Sequence, residues 1–271
     1  MIKAGLDIGN SKLSCIVADY KNSNKINFLS IYSIPTLSIK KNLILNYSKL
    51  LEEIKLLITE TEKQSQTKIN SINLNVSLID SKSHYYNSEI NLEHEKITDL
   101  HIKKILNNSD YFENEVGFFE IMNNIISYDL DGNIFYTNPI GNYSNNLKIN
   151  FYKLLVKKKY LDNLNSILNN LKINVENYIP SPLSSSLATL TNDERELGSI
   201  CLNLGHSTTS IAIYENKKLI YSDTLGIGSN NVTLDIARGV STNISSAERL
   251  KTLYGSLLSS PSDEYEIIEI P

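Results

Sequence analysis

Two short stretches nearly 200 residues apart carry one pattern, which restricts the chain to folds that use two strand–turn–strand units together. The first reads Leu6-Asp7-Ile8-Gly9-Asn10-Ser11-Lys12-Leu13-Ser14-Cys15-Ile16-Val17. The second reads Leu202-Asn203-Leu204-Gly205-His206-Ser207-Thr208-Thr209-Ser210-Ile211-Ala212-Ile213. Each is an apolar strand, an acid or its amide, a glycine-centred turn with hydroxyls, and a second apolar strand, which spells a β-hairpin. Successive N–H groups in such a turn form an anion-binding concavity, so two facing turns predict a phosphate clamp. Its candidate residues are Asp7, Gly9, Asn10, Ser11 and Lys12 from the first turn. The second supplies Asn203, Gly205, His206, Ser207 and Thr208. Gly9 and Gly205 serve either close backbone approach or a positive φ, and the two readings are compatible. Lys12 is either a neutraliser of phosphate charge or an exposed strand lysine. His206 sits at a turn tip, where a histidine is ordinarily just solvated.

The residues between and after the hairpins alternate strands with helices. Leu50, Leu51, Ile54, Leu57 and Ile58 repeat at helical spacing in a helix starting around Ser48, and Ile72, Leu74, Val76 and Leu78 alternate as in a half-buried strand. From about 81 to 158 the texture changes to short strands separated by turn signals such as Asp131-Gly132 and Pro139-Ile140-Gly141, with a helix near 97–106. The earlier pattern then resumes: an amphipathic helix on Leu161, Leu164, Ile167, Leu168 and Leu171, a strand at 173–179, a small-residue helix at 183–190, the second hairpin and strands at 218–225. Two helices near 231–238 and 245–254 follow, and then an acidic, strand-like tail at 263–270. This order predicts two related α/β lobes, each a mixed sheet with helices packed on it, interrupted by an inserted α+β module.

Composition narrows the function classes. A net charge of −4 gives no broad electrostatic case for nucleic acid. Cys15 and Cys201 lie in apolar runs and read as buried reduced thiols, as in a cytoplasmic protein, with neither a disulfide framework nor metal-ligand spacing. His84, His94 and His101 lack carboxylate or thiol partners at ligand spacing, and an Asp-Gly turn accounts for Asp131 beside Asp129. No apolar run approaches the ~18–20 residues of a spanning helix, and no secretory leader follows Met1.

Several stretches together resemble one family. They are Gly5-Leu6-Asp7-Ile8-Gly9-Asn10-Ser11-Lys12, Tyr128-Asp129-Leu130-Asp131-Gly132, Asn138-Pro139-Ile140-Gly141, Ser181-Pro182-Leu183-Ser184-Ser185-Ser186-Leu187-Ala188, Asn192-Asp193-Glu194-Arg195-Glu196-Leu197-Gly198, Asn231-Val232-Thr233-Leu234-Asp235-Ile236-Ala237 and Ala247-Glu248-Arg249-Leu250-Lys251. The paired hairpins are similar to the phosphate loops of the actin, Hsp70 and sugar-kinase superfamily. Within it the chain resembles the bacterial cell-division family FtsA along nearly its whole length. The resemblance implies an actin-like (ribonuclease H-like) two-lobed ATPase fold with an inserted α+β subdomain of the SHS2 type and an incomplete second lobe. The implied divisions are 1–81 and 161–197 for the first lobe, 82–160 for the insertion, 198–228 for the second-lobe core and 229–271 for the start of its outer subdomain. It also implies ATP as ligand with Mg²⁺ held through water by Asp7, and ribose or adenine contact by Glu248 and Lys251, whose spacing puts them on one helix face. The implied partners are FtsZ, further copies of the chain, and other division proteins through the insertion. The membrane would be reached through a C-terminal amphipathic helix that the sequence lacks, so the implied location is the inner membrane face at the division site.

The chain departs from the family pattern in three ways. Asn203 stands where the family carries Asp, and Ser181 where it carries Gln or Glu before the proline. An amide cannot supply the charge that holds Mg²⁺-bound water or orients an attacking one, so slow or absent hydrolysis is expected, with binding less affected. The sequence also stops at Pro271, inside the implied outer subdomain, where a natural end would leave a sheet unfinished and apolar surface uncovered, so an incomplete stretch of a longer protein is expected, with a truncated gene as the alternative. The alternatives within the superfamily are a small-molecule kinase, which would need a general base near Asn203 or Ser181, and a pilus or secretion platform protein.

Overall fold

A computed structural model of the chain describes residues 1–21, 25–109, 115–258 and 267–268. Most of the acidic tail expected at 263–270 lies outside the described residues. The first hairpin is β1 (Ile2–Ile8) and β2 (Lys12–Lys21), continued antiparallel by β3 (Lys25–Pro35). A two-residue turn links the small ribbon β4 (Ile39–Lys40) and β5 (Leu43–Ile44). Asn46 then caps α1 (Tyr47–Ser65), its side chain accepting the Lys49 N–H at 3.0 Å. The apolar stripe read from the sequence is the buried face of α1, with Leu50, Ile54, Leu57 and Ile58 in the core and Leu51 partly so.

Next, β6 (Ser71–Val76) runs parallel to β1, setting Asp7 beside Asn75. The chain leaves this lobe for a four-stranded antiparallel sheet and one helix: β7 (Lys82–Lys96), α2 (Asp99–Ser109), β8 (Phe118–Leu130), β9 (Asn133–Phe135) and β10 (Tyr143–Lys157), in the order β7-β10-β8-β9. The strands expected to be short here are long, 15 residues in β7 and β10 and 13 in β8. Register shifts at Ser144/Asn146, Asn150/Phe151 and Leu154/Leu155 break the period-two pattern that would have revealed them. Asp131 (φ 50°) and Gly132 (φ 90°) form the β8–β9 turn, in which Asp129 Oδ1 accepts the Gly132 N–H at 2.7 Å. Asp131 accepts from Ser144 and from the Asn145 and Asn146 main chain, and these bonds hold its carboxyl below the usual range, so both acids serve the turn.

The return helix α3 (Lys158–Asn170) buries Leu161, Leu164, Ile167 and Leu168, and β11 (Asn174–Pro180) completes a sheet of order β11-β6-β1-β2-β3. Then come α4 (Ser181–Thr189) and the one-turn α5 (Asn192–Leu197), the latter closed by a Thr191–Glu194 capping box. The second hairpin, β12 (Ser199–Leu204) and β13 (Thr209–Glu215), is joined by β14 (Lys218–Leu225) in a three-stranded sheet, followed by α6 (Ser229–Gly239) and α7 (Ile244–Tyr254). Ile200, Leu202 and Leu204 project from β12 into solvent.

The inserted sheet grips the outer edge of β14. Tyr152, fully buried on β10, donates to the Ser222 carbonyl at 3.1 Å and accepts the Ser222 N–H at 2.7 Å. Two residues away, Tyr85 on β7 donates to the Ile220 carbonyl, and the two rings are 5.1 Å apart. Two phenols thus do for β14 what a neighbouring strand would do for an edge. Replacing Tyr152 with Phe strands both Ser222 groups in a dry interface. We expect Tyr152→Phe to cost roughly 2–3 kcal/mol in urea unfolding, and Tyr20→Phe, on an exposed strand end, to change little.

Both cysteines are free. Burial pushes the Cys15 thiol up to about 11, while Cys201 is half-buried. Only the thiolate is nucleophilic, and at pH 8 about a thousandth of Cys15 would be ionised. Native-state alkylation followed by mass spectrometry should therefore modify Cys201 well before Cys15, and equal rates would contradict this burial.

Candidate functional site

The two hairpins are congruent in detail. Asp7 pairs with Ser14 across the first as Asn203 pairs with Ser210 across the second, a constant offset of 196 residues. Each turn closes with the same hydrogen bond: Gly9 N–H to the Lys12 carbonyl at 3.1 Å, and Gly205 N–H to the Thr208 carbonyl at 2.8 Å. A β-carbon on Gly9 would stand 2.8 Å from the Lys12 oxygen, and one on Gly205 2.9 Å from the Thr208 oxygen. Close approach, with no positive φ at either position, is what requires both glycines. Between these bonds, the main-chain N–H groups of Asn10, Ser11, His206 and Ser207 donate to no acceptor among the described residues.

The turns meet at a cleft of about 460 Å³. Asp7, Gly9, Asn10, Ser11, Lys12, Asn203, Gly205, His206 and Thr208 all line it, so the structure brings together nine of the ten hairpin residues picked out from sequence. Ser207 is buried and is not part of the lining. Ser181 is. Sequence reasoning missed Asn75, Ser77, Ser210, Thr224 and Ser229, which also line the cleft. None of these had a local signal: Asn75 falls in the regular polar phase of its strand, with Ser71 and Asn73.

Hydrogen bonds tie the strand-end side chains to α4. Asn75 donates to Asp7 Oδ1 at 2.7 Å and accepts from the Ser184 hydroxyl at 2.8 Å. The next residue, Ser185, accepts from Asn203 Nδ2 at 3.0 Å. Asp7 Oδ2 receives no donor from the described residues.

The segment into α6 braces the second turn from behind. Ser229 and Asn230 donate their N–H groups to the Gly205 and His206 carbonyls at 2.9 and 2.8 Å, so this helix start is spent on protein oxygens. A β-carbon at Gly228 would lie 2.6 Å from Gly205 O, His206 O and Thr208 N alike. Gly228 therefore belongs to the site's construction. Gly228→Ala should lower stability by roughly 1–3 kcal/mol and weaken any anion binding at the turn, read by thermal melting with and without ligand, whereas Gly239→Ala, where a β-carbon meets nothing, should not.

Glu248 and Lys251 do share a face of α7, but at one remove from the cleft. Lys251 Nζ donates to Glu248 Oε2 at 2.7 Å, to Thr233 Oγ1 at 2.8 Å and to the carbonyl of cleft-lining Ser229 at 3.3 Å. Thr233 also donates to Glu248. The Lys251 ammonium and the Thr233 hydroxyl hold the Glu248 carboxyl below its usual range, helped by the nearby His206. No group of three histidines, cysteines or acids among the described residues is placed to hold a metal directly.

The donor set fits a phosphate chain: unspent turn N–H groups, two turns that no β-carbon could occupy, one ammonium at Lys12 and a carboxylate with a free oxygen for a hydrated cation. Solved structures share the architecture. The PilM–PilN type IV pilus biogenesis complex superposes at a TM-score of 0.63 and 16% identity over 93% of this chain and 70% of that one. MreB5 of Spiroplasma citri bound to ADP does so at 0.50 and 10% identity over 96% and 64%. The chain has the actin-like ATPase fold.

Within that class the sequence comparisons agree. The family model for cell division protein FtsA matches residues 200–271. The cell division protein FtsA of Agrobacterium fabrum is 29% identical over 276 aligned positions, which take in 98% of this chain. The chain is thus similar to FtsA along nearly its whole length, and it spans 62% of the length of that relative.

Proposed function

We propose that the chain is the nucleotide-binding portion of an FtsA-like division adaptor, which binds ATP between its two turns, polymerises with its own copies, and links FtsZ to the inner face of the membrane at the septum. One observation carries this reading: two congruent turns, each with unspent N–H groups, facing one cleft. ATP would lie with its phosphates on the turns, Mg²⁺ would be held through water by Asp7, and the Glu248–Lys251 face would approach the ribose and base. The sequence likeness to FtsA supports the division role, and the inserted α+β sheet, read as SHS2-type, is the surface offered to other division proteins. No helix among the described residues is long and apolar enough to cross a membrane, and membrane contact would fall to a terminal amphipathic helix in the full-length protein.

The nucleotide would act as a conformational ligand whose differential affinity for open and closed lobes sets assembly. Asn203 is occupied as a donor to Ser185 and brings no negative charge, and Ser181 is too short to reach far into the cleft. Neither supplies the base a kinase needs, and the pilus-complex likeness extends to the fold alone. Asn203→Asp restores a carboxylate opposite Asp7. Phosphate release from ATP should rise several-fold in that variant over a slow wild type, and wild-type turnover at ordinary kinase rates would sink the holding-not-cleaving reading.

A further inference from the structure

The turn between β4 and β5 lies against the turn of the first hairpin. Lys41 and Asn42 both have positive φ, 46° and 64°, the type I′ geometry of a two-residue hairpin turn. Two anchors hold the turn there, and both lead to the cleft. The Lys41 N–H donates to the side chain of Asn10, in the first phosphate turn. Asn42 Nδ2 lies 3.5 Å from the carbonyl of cleft-lining Ser77 and 3.4 Å from that of Ile79.

From this fixed backbone the Lys41 side chain crosses to the other lobe. A β-carbon built on Gly226, between β14 and α6, would stand 3.3 Å from Lys41 Nζ and 3.5 Å from its Cδ and Cε. Gly226 thus leaves the bed in which the lysine lies. A side cavity of about 730 Å³ is lined by both residues and shares Thr224 with the phosphate cleft. Of the other lysines around that cavity, Lys157 is paired with Asp80 at 2.8 Å. Lys41 has no carboxylate partner among the described residues. Inside the cleft the formal charges of Lys12 and Asp7 oppose each other, and Asn203 adds none. Beyond Lys12 and a hydrated Mg²⁺ the lining offers a triphosphate no further lysine or arginine, and a lysine is a compact charge on a flexible stem able to swing to it.

We propose that Lys41 contacts the terminal phosphate of a nucleoside triphosphate held between the turns, and that lobe closure is registered through its passage from the Gly226 bed to that phosphate. The proposal rests on the nucleotide reading above and assigns a residue and a specificity that reading lacks: preference for a triphosphate over shorter chains.

The test is equilibrium binding of ATP, ADP and AMP to the whole chain with Mg²⁺, for wild type, Lys41→Asn, Lys41→Arg, Gly226→Val and the exposed-helix control Lys55→Met. Asn tolerates the left-handed backbone, so Lys41→Asn removes the charge without straining the turn. Lys41→Asn should weaken ATP about tenfold, ADP less, and AMP under about twofold, with most affinity restored in Lys41→Arg. Gly226→Val should displace the ammonium and shift the ATP-to-AMP ratio without touching Lys41. An unchanged ratio in Lys41→Asn, or an equal loss in Lys55→Met, overturns the Lys41 assignment while nucleotide binding stands. Wild type that binds none of the three overturns the nucleotide reading itself.

Discussion

Two neighbouring hydroxyls on α4 reach the two hairpins separately: Ser184 bonds Asn75, which in turn holds Asp7, and Ser185 is bonded by Asn203. Consecutive helical residues point about 100° apart, so a single helix can address two lobes at once. The separation of the turns, and hence the width of the cleft, is set by this short chain of polar contacts. A polar network in a partly dry junction is strong when fully paired and costly when broken, which makes it a position-fixing device more than a source of bulk stability. One continuous hydrophobic core, with Leu6, Leu13, Leu74 and Leu164 behind the first hairpin and Ala212 and Tyr214 behind the second, supplies the bulk term.

The congruence of the turns makes their difference in charge informative. Backbone donors and glycine geometry are duplicated, whereas the carboxylate is present once. Asp7 keeps one oxygen committed to Asn75 and one available, and at the matching place Asn203 is already engaged by Ser185. Backbone N–H groups can bind phosphate whichever side chain stands beside them, but activating water near a phosphorus needs a charge or base in place. Binding and cleavage are therefore separable in this cleft on chemical grounds, and the residues present favour binding.

The same second-hairpin sheet that faces the cleft is held from outside by the inserted subdomain. Tyr85 and Tyr152 hydrogen-bond alternate residues of β14, and two positions beyond Ser222 the strand presents Thr224 to the cleft. The insertion is thus attached at both ends to the first lobe and along one edge to the second, so relative movement of the lobes would be felt across that edge. Gly228 sets a further limit, because the second turn is packed on the start of α6 with no room for a side chain.

Local physics made much of this readable in the sequence. The turn glycines, the strand-end acid and amide, the apolar stripes of α1 and α3, and the Asp131–Gly132 turn each declare themselves within a few residues, since each answers a steric or burial demand of its own segment. The Thr191–Glu194 capping box was equally local and could have been read as α5. The long strands of the insertion were hidden by their bulges, and Lys153, buried in β10 against Glu120 at 2.7 Å, interrupts the apolar run that would have marked them. Asn75 and Lys41 carry no motif: they matter through what a parallel pairing or a turn brings beside them, Asp7, 68 positions from Asn75, and Asn10, 31 positions from Lys41. The sequence by itself determined that two phosphate-type turns would form, because a turn's backbone chemistry is complete within it. Only the tertiary structure decided that they face one cleft, which hydroxyls bridge them and which lysine lies against Gly226 beside it, because those relations depend on long-range packing that leaves no local trace.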